Sequence, residues 1–412
     1  MQKADAVAVP TPPKNRTRVP LTLAEVFWAF LRAGCLSFGG PVAHLSLFHT
    51  EFVSRRKWLD DTRFAELLAL CQFLPGPASS QLVFALGMHR AGFWGAVLAS
   101  VGFTAPSAFL MLGFAYQVTL FPRLLQTGAL HGLKLAAVAV VAQAVWAMGR
   151  RLCPDRVRTT LALVSAAFLL WFPSAMAQVA VIFGGGVLTL FVYRQAEPAE
   201  QPVTTPPSRP AQALSAVARV VFALLLLFLP VLAATTGEKK IAMFDAFYRA
   251  GSLVFGGGHV VLPLLRSVLV PNGWLTDDQF LGGYGAAQAL PGPLFTFSAY
   301  LGAVMAQGLR PWLWGCFCLF AIFLPAWLLV GGVLPFWQLV AKKTWVRASL
   351  LGANAAVVGV LLSALYHPVF SSAVHGAKDV AAVLVAFGAL QVWKAPPWLV
   401  VVAFAVVGWW LV

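Results

Sequence analysis

The stretch FWAFLRAGCLSFGGP, Phe27 to Pro41, decides the fold because the chain contains it twice: FDAFYRAGSLVFGGG runs from Phe244 to Gly258. Each copy continues in the same order. The first proceeds through WLDDTRF (58–64) to ALCQFLPGP (69–77), the second through WLTDDQF (274–280) to AAQALPGP (286–293). Arg32, Gly34, Phe38, Gly39 and Gly40 fall on Arg249, Gly251, Phe255, Gly256 and Gly257. After a slip of one residue, Trp58, Asp61, Gln72, Gly76 and Pro77 fall on Trp274, Asp277, Gln288, Gly292 and Pro293. Two halves of one chain share this pattern.

Composition places those halves in a bilayer. Apolar residues make up 60% of the chain and charged residues 10%, with a mean hydropathy of +0.80, more apolar surface than a soluble interior can hide. A span needs about 20 apolar residues. About thirteen such segments centre near residues 35, 78, 105, 138, 166, 183, 225, 255, 294, 325, 355, 385 and 404. The expected fold class is an all-α polytopic membrane protein of two homologous halves with broken helices.

The net charge of +15 does not point to nucleic acid, because the basic residues lie in short groups between apolar segments and form no patch with interleaved aromatics. They report topology. Lys14, Arg16 and Arg18, then Arg150, Arg151, Arg156 and Arg158, then Lys342, Lys343 and Arg347 share one side if every segment spans, and the positive-inside rule makes that side the cytoplasm. Arg55, Arg56 and Lys57 then fall outside, against the rule. The five cysteines sit mostly in apolar runs as packing residues, and neither a disulfide framework, a metal site nor a cofactor is expected.

In chain order, residues 1–20 read as a cytoplasmic tail with no cleavable signal. Residues 21–193 form the N-terminal half, 194–214 a Pro-rich linker, 215–236 an extra helix, and 237–412 the C-terminal half. Six segments plus the extra helix separate equivalent points of the copies. An odd number turns the second copy over, so an inverted repeat is expected, with its site near the midplane. Gly39, Gly40 and Pro41 should break one helix. Asp60 or Asp61 should cap the next, Pro75-Gly76-Pro77 should interrupt it, and Pro106 and Pro325 should interrupt the segment that follows in each half. Lys134 is expected to snorkel to the interface, and segments 166 and 183 to form a helical hairpin.

Candidate chemistry is sparse. Arg32 and Arg249 lie inside apolar segments, where an arginine must be paired or solvated. Either Arg249 pairs with Asp245 one turn away and both arginines serve structure, or both guanidiniums face a cavity and hold an oxyanion. The breaks at Gly39–Gly40, Gly76, Gly256–Gly257 and Gly292 leave helix N-termini whose free amides and positive dipole attract anions. Ser79, Ser80 and Thr296 lie just beyond the restarts, with Ser80 and Thr296 equivalent, and Gln72 and Gln288 lie one turn before them. The competing account has the glycines permitting close packing and the glutamines satisfying open carbonyls. His44 and His259 are candidates for proton coupling, though a lone histidine is more often a hydrogen-bonded structural residue, and Glu66 is either a coupling site or a surface carboxylate.

RAGCLSFGGP with WLDD and ALCQFLPGP, and RAGSLVFGGG with WLTDD and AAQALPGP, resemble the duplicated signature of the chromate ion transporter family in its long-chain, two-domain form. The resemblance covers the chain from about Leu21 onward, with Pro41 standing where the second copy has Gly258. It implies a bacterial inner-membrane secondary transporter, N-terminus in the cytoplasm, that exports chromate and confers resistance. Sulfate is the tetrahedral look-alike, the bilayer the setting, and a homodimer is allowed for. The alternatives are a sulfate or other inorganic anion transporter or channel, and a membrane enzyme acting on polyprenyl phosphates. The last would need several intramembrane carboxylates, and no catalytic residue of that kind is read here.

Overall fold

The computed structural model describes residues 22–121, 128–193, 209–306, 310–337, 340 and 343–411. The expected tail, and residues 194–208 of the expected linker, lie outside the described residues. Among those described, all regular structure is helical. The first copy builds α1 (Leu23–Leu36), α2 (Gly40–Phe48), α3 (Asp61–Phe73), α4 (Ala78–Leu120), α5 (Gly128–Leu152), α6 (Arg156–Trp171) and α7 (Ala175–Val192). Between the copies stands α8 (Arg209–Thr236), which begins inside the stretch read as linker. The second copy builds α9 (Lys239–Leu253), α10 (Val261–Leu269), α11 (Asp277–Ala289), α12 (Phe297–Val304), α13 (Pro311–Val333), α14 (Thr344–Ala364), α15 (Ala377–Gln391) and α16 (Pro397–Leu411).

Six described helices are long and apolar enough to cross a bilayer: Ala78–Leu120, Gly128–Leu152, Ala175–Val192, Gln212–Thr236, Pro311–Phe336 and Thr344–Ala373. They are fewer than the thirteen segments because the glycine and Pro-Gly-Pro breaks divide apolar stretches into short helices such as α1 with α2 and α9 with α10. The 43-residue α4 itself leaves helical geometry at Ala91 and Gly92. Large apolar side chains, among them Phe109, Trp171, Phe183 and Phe228, stay exposed on the outer faces. In water such surface would drive association; in lipid it costs nothing. Pro106 and Pro325 do not interrupt their segments as expected. Both sit inside unbroken helical runs, Pro106 in the part of α4 beyond Gly92 and Pro325 in α13, since unfolding a turn within lipid would orphan more backbone groups than one proline removes.

Local chemistry sets the peripheral helix starts. Thr22 and Glu25 form a capping box on α1, as Thr276 and Gln279 do on α11. Asp60 caps α3 through the Arg63 amide. The next residue of each copy then reaches back to the preceding helix: Asp61 accepts from His49 Nε2 at 2.7 Å, and Asp277 accepts from Arg266 Nε and Nη2 at 2.8 and 3.0 Å. The paired Trp-Leu-x-Asp elements are thus equivalent clamps across equivalent turns.

The halves are interleaved and their contacts are reciprocal. Helices α6 and α7 of the first copy pack on α14 of the second, while α15 and α16 of the second pack on α5 of the first. Within the copies, α1 crosses α4 where Gly34 faces the Phe103 carbonyl, and α9 crosses α13 where Gly251 faces that of Ile322. A Cβ at either glycine would meet backbone oxygen. Cys35 and Cys316 are exposed, Cys71 and Cys318 buried, and all five cysteines are free.

Candidate functional site

Where the copies meet, the four breaks meet. The Gly76 amide donates to the Val254 carbonyl at 2.6 Å, and the Gly292 amide donates to the Ser37 carbonyl at 2.8 Å. These are one bond made twice, since Ser37 and Val254 occupy equivalent positions ahead of the glycine breaks. Each Pro-Gly-Pro turn is therefore anchored on the broken helix of the other copy. The glycines are required there: Gly76 has φ +127° and Gly292 φ +106°, outside the range of ordinary L residues. Gly76 also abuts Ala326 of the second copy, and Gly292 abuts Ser107 of the first.

Around this junction the helix starts are bare. Five starts elsewhere, those of α1, α3, α6, α7 and α11, carry a side-chain cap, while those of α9, α13, α14 and α15 do not. The restarts behind Gly39, Pro77, Gly257 and Pro293 carry none. After Pro77 the first bond into the helix is Gln81 N–H to Pro77 O at 2.9 Å, which leaves the amides of Ala78, Ser79 and Ser80 without an intrahelical acceptor. After Pro293 the first is Thr296 N–H to Pro293 O at 3.0 Å, leaving those of Leu294 and Phe295. Space for a Cβ is open at Gly40, and Gly257 faces only the Met148 sulfur.

The side chains divide. Ser80 is buried with its hydroxyl unpartnered, while its equivalent Thr296 donates to Pro293 O at 2.8 Å. Gln288 encloses an unpartnered Nε2; Gln72 is exposed and accepts from Arg151 at 3.4 Å. His44 joins the junction, its Nε2 lying 3.0 Å from the Ser37 carbonyl. A carbonyl only accepts, so Nε2 carries the proton, and the buried Nδ1 has no partner. His259 instead faces the hydroxyl of the buried Tyr284 at 2.7 Å, and Glu66 is ion-paired with Arg63 at 2.6 Å.

The arginines stand outside the junction. Arg249 donates through Nη2 to buried Asp245 at 2.5 Å, with its own Nε and the Asp245 Oδ1 enclosed and unpartnered. Arg32 is exposed, close enough for its charge to act on Glu51. Lys134 does not snorkel: it is buried and donates to Asp278 Oδ1 at 2.8 Å, joining α5 to α11. The sequence reading missed Asp278 and Glu51 as partners, and missed Gln81, fully buried, whose Nε2 closes the Pro-Gly-Pro turn on Pro75 O at 2.7 Å. Glu51 had a signal, as a lone acid within the apolar run LSLFHTEFV. Gln81 had none beyond its nearness to the turn.

Comparison with known proteins agrees with this duplication. The family described as chromate transporter matches twice, over residues 24–190 and 241–409. A chromate transport protein of Pseudomonas aeruginosa is 30% identical over 361 residues, covering 87% of this chain and 82% of the relative. A probable chromate transport protein of Synechococcus elongatus is 28% identical over 348 residues, 84% of each chain. One from Cupriavidus metallidurans is also 28% identical over 348 residues, 84% of this chain and 82% of the relative. No solved structure matches. With a doubled family match, relatives aligned over most of their length and helices of membrane-spanning length, this multi-pass membrane protein belongs to the chromate transporter family.

Proposed function

We propose that the protein is a secondary transporter that exports chromate across the bacterial inner membrane and so confers resistance, recognising tetrahedral oxyanions, sulfate included. The observation that carries the reading is the uncapped state of the four helix restarts at the junction. Free amides and the positive ends of helix dipoles suit a multiply charged anion, and what sets these four starts apart from the equally uncapped starts of α9, α13, α14 and α15 is that they lie at the junction of the two copies. Gly39, Gly40, Gly256 and Gly257 lend the backbone approach, Gly76 and Gly292 hold the joint, and Ser80, Thr296, Gln72 and Gln288 supply neutral donors. Arg249, whose fork is only partly used by Asp245, and Arg32 attract the anion toward the breaks, and His44 is the group through which a proton would be linked to its binding.

Lysine in place of Arg249 or Arg32 keeps the charge and loses the planar fork. Both substitutions are expected to lower chromate uptake into everted vesicles about tenfold or more, the worth of one charge-assisted hydrogen bond in an apolar setting, with sulfate as competitor reporting the shared site. Wild-type uptake in both variants at equal protein level would remove the arginines from the pathway.

The reading includes an inverted repeat of about thirteen segments, six in each half with the extra helix between them. Reciprocal contacts, α6 and α7 on α14 and α15 and α16 on α5, are what a two-fold relation produces. Short tags in the Trp58 and Trp274 turns are then expected to be labelled from opposite sides of the membrane. Labelling of both from one side would sink the inverted arrangement.

A further inference from the structure

One cluster of charge plays no part in the junction. Behind α2 the chain runs through a π-helical turn, His49–Arg55, whose Glu51 is buried and takes Arg55 at 3.1 Å and Arg56 at 2.7 Å. Arg32 adds its charge to the same carboxylate. A fourth arginine, Arg90, stands at the end of the first run of α4, directly before the break at Ala91 and Gly92. Among the described residues it makes no ion pair or hydrogen bond, and its Nε is enclosed. The guanidiniums of Arg56 and Arg90 both converge on the Trp58 ring, each 5.7 Å from its centroid, while Phe52 stacks on that ring at 4.8 Å. Three arginines thus gather about one acid, and a fourth reaches the ring that one of them covers. An uncompensated guanidinium beside an apolar core is costly, and aromatic attraction offsets only a part.

The fold does not demand this excess. The second copy has Val268, Asn272 and Gly273 where the first has Glu51, Arg55 and Arg56, yet with a turn one residue shorter and without the π-helical stretch it still makes the equivalent clamp, Asp277 on Arg266; its Trp274 meets a single Lys239. From the surplus, the convergence and the dispensability, we infer that Arg56 and Arg90 flank Trp58 as a binding site for a phosphate-type tetrahedral oxyanion, present in the first copy only. With Arg56 Nε held by Glu51 and Arg90 Nε enclosed, the Nη groups on either side of the ring are the donors left for such an anion. A lipid phosphate and a soluble oxyanion share that chemistry.

The test uses the full chain in neutral detergent and follows its melting midpoint with dioleoylphosphatidylglycerol, with dioleoylphosphatidylcholine, and with sodium sulfate against chloride at equal ionic strength. A ligand that binds only the folded state raises the midpoint. Phosphatidylglycerol or sulfate is expected to raise it by several degrees in the wild type, and Arg90→Gln and Arg56→Gln each to remove most of that rise from their own baselines, with Arg156→Gln unchanged. A rise with the lipid alone identifies a headgroup site; a rise with sulfate identifies a site for soluble anions. If neither anion shifts the wild type, or if the shift survives in both variants, the inference is overturned. Arg90→Lys guards against misfolding: it keeps the charge and should keep the baseline while losing most of the shift.

Discussion

Valine at Gly34 or Gly251 is expected to abolish recovery of folded protein, whereas valine at Gly388, on a helix with open space around it, should leave the yield near that of the wild type. At Gly34 a Cβ would come within 2.5 Å of the Phe103 carbonyl oxygen, and at Gly251 it would strike the Ile322 carbonyl and the Pro325 ring. These obstacles are backbone or ring, which cannot rotate away, so α1 must lift from α4, or α9 from α13. Overpacking of this kind costs about 3 kcal/mol or more, a large share of the stability of any domain. The consequence extends beyond the crossing itself. Ser37 and Val254 lie three residues past these glycines, and their carbonyls hold the Gly292 and Gly76 amides; a lifted helix withdraws the acceptor that anchors the other copy's Pro-Gly-Pro turn. Size-exclusion profiles of the three variants in detergent, at matched expression, measure the effect. Monodisperse Gly34→Val and Gly251→Val protein at the Gly388→Val level would show that the crossings are slack.

The equivalence of the two crossings could be read from the sequence because the same residue types recur in the same order, and a pattern of small residues, breaks and turn acids survives duplication. The helix ends were legible for the same local reason: Asp60 precedes its helix, and Pro-Gly-Pro cannot continue one. What could not be read is which copy each element serves. Nothing in α6 or α7 says that they pack on α14 across the chain, because in an apolar segment every face is apolar and periodicity carries no address. Lys134 shows the same limit, since one cation near a helix end looks alike whether it reaches headgroups or Asp278. Arg249 was easier, its carboxylate lying four residues back on the same helix.

The proposed export fixes its driving force through charge. A dianion exported as proposed leaves a cell whose interior is negative, and the field is worth about 2.3 kcal/mol per charge per 100 mV, or about 4.6 kcal/mol for two charges. That corresponds to a gradient of about a thousandfold, enough for export to run uphill without a nucleotide. A proton bound through His44 would alter this by one charge per cycle; with Nε2 committed to the Ser37 carbonyl, only Nδ1 could take it. In everted vesicles export becomes entry, into a lumen made positive by respiration. Collapsing the potential with valinomycin and potassium, while the pH gradient is held constant, is expected to slow chromate entry at least tenfold and to lower the final accumulation toward equality with the medium. Collapsing the pH gradient with nigericin at constant potential should change it far less. Entry that valinomycin leaves unchanged would mean that the cycle moves no net charge, with a proton accompanying each charge on the anion; the acid lumen would then oppose entry, nigericin would speed it, and His44 with its unpartnered Nδ1 would be the first residue to replace.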